Sequence, residues 1–108
     1  GYDKNFKQIG NKYSKIDLAI LENGQYNKDW KYIHMMPGEQ LQAAKDLNAA
    51  RIIPVHNSKF ALAAHSWMEP LEEMYRRNNG ELRILYPKIG EKILWQDDSK
   101  MYQPWWRE

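Results

Sequence analysis

The sequence predicts an α/β fold, and three observations along its first half support that class. Ile16–Leu21 (IDLAIL) and Ala49–Val55 (AARIIPV) are short apolar runs of the length expected for buried strands. Between them, Pro37–Asn48 carries apolar side chains along one face, as an amphipathic helix does. That face holds Leu41, Ala44 and Leu47. A strand, a helix and a second strand in this order predict a βαβ unit whose two strands are parallel neighbours.

Further helices are predicted on both sides of this unit. Tyr2–Tyr13 has apolar side chains at helical spacing, although Gly10 weakens that helix. Lys59–Trp67 (KFALAAHSW) is apolar with helical propensity. A third helix contains Leu71, Met74 and Tyr75 at helical spacing and is expected to end at Asn78-Asn79-Gly80.

The remaining segments predict loops and additional β-structure. Tyr26–Met36 has no clean period and predicts an irregular loop. Glu81–Tyr86 and Lys92–Gln96 are β-rich and are joined through a proline and a glycine. Pro54 has no N–H to donate, so its strand is expected to end there or to lie at an edge of the sheet.

Composition excludes several classes of protein. The chain has 108 residues, 43% of them apolar, so it can form one domain or a piece of one. Its 16 basic and 14 acidic residues are interleaved without the basic stripe that nucleic-acid binding needs. Cysteine is absent, which excludes disulfides and thiolate metal sites. With no apolar run long enough for a bilayer and no signal-peptide core, the expected location is cytoplasmic.

Histidines are the strongest candidates for chemistry. His56 follows the predicted strand directly, at the carboxyl end where α/β proteins place their ligands, and it is the candidate metal ligand. By spacing alone, a capping or surface histidine is the favoured interpretation. Asp17 lies in the other predicted strand and Glu22 at its end, where a carboxylate either orients a ligating histidine or serves as a structural cap.

The other two histidines lie outside the predicted strands. His34 precedes the predicted helix that begins at Pro37, where it could donate to an anion or simply bond to backbone. His65 lies among small apolar residues, a setting typical of a core histidine. No Gly-rich phosphate loop, nucleophile elbow or H-E-x-x-H helix is present. Because a catalytic zinc needs three protein ligands, the predicted site is incomplete.

An ordered set of motifs extends this interpretation. GYD, IDLAIL, YIHMMPGEQLQAAKDLNA, RIIPVH and KFALAAHSWMEP follow one another over residues 1 to roughly 95. Together they resemble the C-terminal half of metallo-β-lactamase-superfamily hydrolases. The branch they are most similar to is that of N-acyl-phosphatidylethanolamine phospholipase D and its bacterial relatives.

The resemblance implies a fold and a site. The fold is an αββα sandwich with a mixed sheet and flanking helices, of which residues 1–108 would form the C-terminal half as one unit. The family holds two divalent metals, usually zinc, and of its ligands only the late histidine falls in this chain, at His56. The resemblance gives His34 a catalytic role and places His65 in substrate binding. Asn57-Ser58 depart from the Trp-Gly that often follows the late histidine.

The function that follows is metal-dependent hydrolysis. Water activated by two metals would attack a phosphodiester or a lactone, and the substrate would be a small molecule or a lipid-like ester. Without the family's H-x-H-x-D-H motif, this chain is expected to be an inactive fragment of that enzyme. The alternative is a non-enzymatic half-domain that binds or self-associates through the surface that half a sandwich leaves exposed.

Overall fold

The computed structural model describes all residues from 1 to 108 and contains a parallel βαβ unit flanked by helices. The elements in chain order are α1 (Asn5–Tyr13), β1 (Ala19–Glu22), α2 (Pro37–Asp46), β2 (Ile52–Val55) and α3 (Glu69–Asn78). Single 3-10 turns form at Lys28–Trp30 and Trp105–Arg107. None of the three α-helices has the length and apolarity that a bilayer crossing requires.

The two strands pair in parallel, as predicted. Ala19 lies opposite Ile52, and the register continues to Glu22 opposite Val55. An additional parallel bridge joins Ile16 to Ala49, so the pairing extends towards the start of the predicted apolar runs. The carboxyl ends of β1 and β2 therefore lie side by side at one edge of the sheet.

Helix α2 packs on one face of this sheet and contacts both α1 and α3. Its predicted apolar face is confirmed, since the three residues that define it are buried: Leu41, Ala44 and Leu47. The helix begins where Pro37 occupies the first turn and the Glu39 carboxylate accepts the N–H of Met36 at 2.9 Å. The core below α2 includes Ile52 and Met74, both fully buried.

The opposite face of the sheet is open. Because side chains alternate along a strand, Ala19 and Leu21 point to α2, whereas Ile20 is 62% exposed. Val55 is also exposed at the end of β2. A small α/β unit with one covered sheet face fits part of a lactamase-type domain. In this chain the strands pair only in parallel, so the predicted mixed sheet does not form within it.

The two segments after α3 that were predicted to be β-rich form less β-structure than expected. Ile84 forms one parallel bridge to Ile52, with the Ile52 N–H donating to Arg83 and the Leu85 N–H to Ile52. Pro54 is the next residue of β2 that would donate on that side, and it has no N–H to continue the ladder. Lys92–Gln96 was expected to be β-structure and forms none.

The structure also differs from two expectations about helices. Lys59–Trp67 contains no helix, because its apolar side chains lack a periodic face and several of them stay exposed. Gly10 does more than weaken α1, since a β-carbon there would lie 1.9 Å from the carbonyl oxygen of Asp46. This glycine allows α1 to lie directly against the end of α2.

Candidate active site

Three side chains meet at the carboxyl edge of the sheet. Glu22 is the last residue of β1, His56 follows the last residue of β2, and His34 lies in the turn before α2. One potential ligand atom from each lies within 4.8 Å of those of the other two. The parallel register brings the two strand ends together, and the crossover connection brings His34 back to the same edge.

Glu22 and His34 form a close pair. The Nδ1 of His34 lies 2.5 Å from Oε2 of Glu22, and each side chain is about one quarter exposed. The other carboxylate oxygen, Oε1, accepts the backbone N–H of Met35 at 2.5 Å. Two N–H donors from consecutive residues therefore hold one carboxylate, which is a geometry that fixes its orientation.

His56 is exposed, and its ring lies against that of His34. The two ring centroids are 5.6 Å apart, with an interplanar angle of 28°. His56 has a φ of 64°, which ends the strand with a sharp change of direction. Its backbone rests on Gly24, where a β-carbon would lie 1.6 Å from the His56 carbonyl oxygen. The ligand position is therefore set by a close backbone contact between the two strand ends.

A buried amide holds this contact in place. Asn23 is fully buried, and its Nδ2 donates to Oε1 of Gln40 at 2.8 Å and to the carbonyl of Pro70 at 3.1 Å. Its Oδ1 accepts from Nδ2 of Asn57, and its backbone N–H donates to Val55. Asn23 thereby ties α2, α3 and the segment after His56 to the end of β1.

His65 belongs to a different place. Its ring stacks on that of Tyr26 with centroids 4.5 Å apart, and its side chain is 8% exposed. Its Nδ1 lies 3.0 Å from the carbonyl of Ser66 and 3.7 Å from a carboxylate oxygen of Glu69. The same carboxylate accepts the hydroxyl of Tyr26 at 2.6 Å, and burial raises the pKa of that hydroxyl. His65 is thus a packed histidine outside the group of Glu22, His34 and His56.

Sequence reasoning identified some of these features and missed others. It placed His56 and Glu22 at strand ends, which is where they lie. Asp17 is exposed and has only Lys15 as an ionic partner at 3.9 Å. Asn23-Gly24, by its sequence alone, is typical of a turn. The signal that was available is that an Asn-Gly pair after a strand supplies both an amide and a site for close backbone approach.

The donor chemistry fits a divalent metal. Two imidazoles and a carboxylate are among the groups that zinc accepts, and all three reach one edge of the sheet. His56 is the most exposed of the three and keeps its ring available. The His56 ring therefore suits the predicted role of metal ligand, whereas the Glu22 carboxylate and Nδ1 of His34 are engaged with each other.

Comparison with known proteins decides the family. Residues 1–57 match the model of a family described as "Beta-lactamase superfamily domain". The chain belongs to the metallo-β-lactamase superfamily. The matched region ends one residue after His56 and includes Glu22 and His34, whereas His65 lies beyond it.

Proteins similar to this chain come from several organisms. The chain is 59% identical over 56 residues to the outer membrane protein RomA of Klebsiella pneumoniae, covering 52% of the chain and 42% of that protein. It is 35% identical over 111 residues to an uncharacterized protein of Mycobacterium tuberculosis, covering 99% of the chain and 30% of the relative.

A third relative has a named activity. The chain is 37% identical over 78 residues to the mitochondrial N-acyl-phosphatidylethanolamine-hydrolyzing phospholipase D of Saccharomyces cerevisiae. The match covers 68% of the chain and 17% of the yeast protein. The chain thus spans less than half the length of each of these three relatives. The resemblance to the phospholipase D branch is confirmed at this level of similarity.

Proposed function

We propose that this chain is part of a metal-dependent hydrolase in which His56 holds one of two divalent metals. The observation that supports this most directly is the meeting of His56, His34 and Glu22 at one sheet edge in a member of the metallo-β-lactamase superfamily. Ligands at the carboxyl ends of parallel strands are held by rigid backbone, which is what a catalytic metal requires.

Each residue has a role in this proposal. His56 binds a metal through its exposed ring, and the Gly24 contact fixes the position of its backbone. His34 contacts the substrate or the attacking water, because its ring lies against that of His56. When bound, two zinc ions supply a hydroxide nucleophile near neutral pH and offset the negative charge that develops during hydrolysis. Zinc is proposed because imidazole and carboxylate are among its usual ligands and because the resemblance to the family implies it.

The proposed substrate is a lipid-like phosphodiester, with lactones as the second class. The yeast relative's name supports the first class, since it describes hydrolysis of an N-acyl-phosphatidylethanolamine. A cavity beside His56 is also lined by Lys59, Phe60 and Leu62. An ammonium group next to exposed apolar side chains suits an anionic phosphoester that carries an apolar chain.

We further propose that the chain is inactive by itself, because the other metal ligands of the family are not among its residues. Calorimetric titration of the chain with zinc tests this statement. We expect weak binding of one ion at most, and His56→Ala should abolish it. Tight binding of two ions would contradict the fragment proposal.

Activity is tested in the complete reading frame that contains this chain. We expect metal-dependent hydrolysis of bis(p-nitrophenyl) phosphate that is lost on treatment with a chelator and in His56→Ala. Asp17→Asn is the matched control, because the Asp17 carboxylate is exposed and its ionic partner is Lys15 at 3.9 Å. Full activity of the His56→Ala variant would exclude the proposed metal role.

A second candidate function is self-association through the open sheet face. Ile20 is 62% exposed there, and Phe60 and Leu62, which line the cavity beside His56, are 68% and 71% exposed. Apolar surface of this kind often marks an interface. Sedimentation velocity at high concentration should detect a dimer that Ile20→Lys disrupts. A monodisperse monomer would exclude this function.

A further inference from the structure

We propose that Glu22 is a positioning residue that fixes the tautomer of His34 and leaves its Nε2 as a hydrogen-bond acceptor. The consequence for catalysis rests on the proposed hydrolase function, whereas the tautomer itself does not. Three observations lead to this assignment: the short contact between the side chains, the second donor on the same carboxylate, and the aromatic neighbours of the His34 ring.

The carboxylate determines which ring nitrogen carries the hydrogen. A carboxylate has no hydrogen to donate, so at 2.5 Å the Nδ1 of His34 must be the donor to Oε2 of Glu22. In a neutral imidazole the hydrogen is on one nitrogen only, so Nε2 then carries a lone pair. The ring is therefore presented to a substrate or water as an acceptor.

A second hydrogen bond restricts rotation of the Glu22 carboxylate. Its Oε1 accepts the backbone N–H of Met35, the residue that follows His34. The backbone beyond it is fixed by Pro37 in the first turn of α2 and by the bond from Met36 to Glu39. The ring of His34 and the backbone N–H of Met35 thus each bind one oxygen of Glu22. The end of β1 and the start of α2 are locked in one orientation.

The ring itself is confined on two sides. Trp30 meets it edge-on with centroids 6.2 Å apart, and His56 lies along it at 5.6 Å. With Nδ1 engaged by Glu22, Nε2 is the only ring nitrogen left to meet a molecule at the site. Donation by neutral His34 to an oxyanion, which its place before a helix suggested, would need the hydrogen on Nε2 and thus the other tautomer.

Nitrogen chemical shifts of the His34 ring test the tautomer directly in this chain. Long-range ¹H–¹⁵N correlation spectra should show hydrogen on Nδ1 in the wild type. In Glu22→Gln the amide has one oxygen for two donors, and the Met35 N–H cannot move. We therefore expect the amide oxygen to face Met35 and the NH₂ group to donate to Nδ1, which inverts the tautomer.

The matched control is Asp17→Asn, which neutralises an exposed carboxylate before β1 and should leave the His34 shifts unchanged. Circular dichroism and the Met35 amide signal verify that Glu22→Gln remains folded. Hydrogen on Nε2 in the wild type, or an unchanged tautomer in folded Glu22→Gln, would overturn the proposal.

The catalytic consequence is measured in the complete reading frame. Loss of an outer hydrogen-bond partner of this kind reduces activity by about 10- to 100-fold, so Glu22→Gln should lower kcat by that factor with little change in KM. An unchanged kcat would overturn the positioning role. If the wild type hydrolyses no phosphodiester or lactone, the proposed function fails, and the tautomer is still decided by the spectra of this chain.

Discussion

The backbone of Gly24 lies directly against the carbonyl group of His56, and a β-carbon at Gly24 would come within 1.6 Å of that oxygen. Gly24→Ala should therefore push the two strand ends apart. We expect a loss of about 1–3 kcal/mol in the free energy of unfolding, as overpacking of a close contact usually causes. Urea unfolding followed by tryptophan fluorescence measures it.

A matched glycine provides the control for this variant. At Gly38, in the first turn of α2, a β-carbon would meet only the end of the Arg77 side chain at 3.7 Å. Gly38→Ala should leave stability unchanged or raise it by up to about 1 kcal/mol through helix propensity. Equal effects of the two substitutions would show that the contact with His56 is not what makes Gly24 necessary.

Ser58 occupies a backbone conformation that favours glycine. Its φ is 68°, in the left-handed region where a β-carbon costs about 1–2 kcal/mol. Ser58→Gly removes this cost but also a hydrogen bond from the hydroxyl to Asn57. Because glycine also loses more backbone entropy on folding, we expect a small net gain, well under about 1 kcal/mol, in the free energy of unfolding. A loss of stability in thermal unfolding would mean that the hydroxyl contributes more than the backbone strain.

Two buried tyrosines should respond in opposite ways to removal of their hydroxyl. The hydroxyl of Tyr86 is buried without a partner in the chain, and burial raises its pKa. Tyr86→Phe should therefore stabilise the fold by about 1 kcal/mol, because no hydrogen bond offsets the loss of hydration. Tyr26→Phe should destabilise it by about 1 kcal/mol, because that hydroxyl donates to Glu69. Thermal unfolding of both variants distinguishes these signs.

The C-terminal segment should loosen in acid. Hydrogen bonds from Arg107 and then from Trp106 lower the pKa of Glu72, so the carboxylate is favoured in the folded chain. A lowered pKa contributes stability at neutral pH that disappears as the pH falls through the folded value. Glu72→Gln should lower Tm at pH 7 and approach the wild type in strong acid. A constant difference in Tm across this range would contradict the linkage.

The βαβ unit was predictable from the sequence because local pattern and tertiary structure agree there. The buried face of α2 has a clear helical period, and the strands differ from it in length and apolarity. Lys92–Gln96 was not predictable in the same way. Its residues favour strands, but strand formation needs a partner strand, and this segment pairs with none.

The site was predictable only in outline. Strand ends indicated His56 and Glu22, but a distance of 2.5 Å between Glu22 and His34 depends on how the crossover returns to the sheet. His65 was expected near a substrate; its ring stacks on that of Tyr26, outside the group of Glu22, His34 and His56, and its role in substrate binding stays a prediction. Sequence spacing does not distinguish His34 from His65, because each follows a short apolar stretch. Only the packing of their surroundings does.

The parallel register of β1 with β2 also affects how this edge forms during folding. Ala19 and Ile52 can pair only after the chain between them, including α2, has closed into a loop, and that closure costs entropy before any contact is gained. Glu22 and His34 lie in the segment that this loop closure brings together, and His56 lies just after it. The arrangement of Glu22, His34 and His56 should therefore appear in one kinetic step, after α2 and together with the sheet.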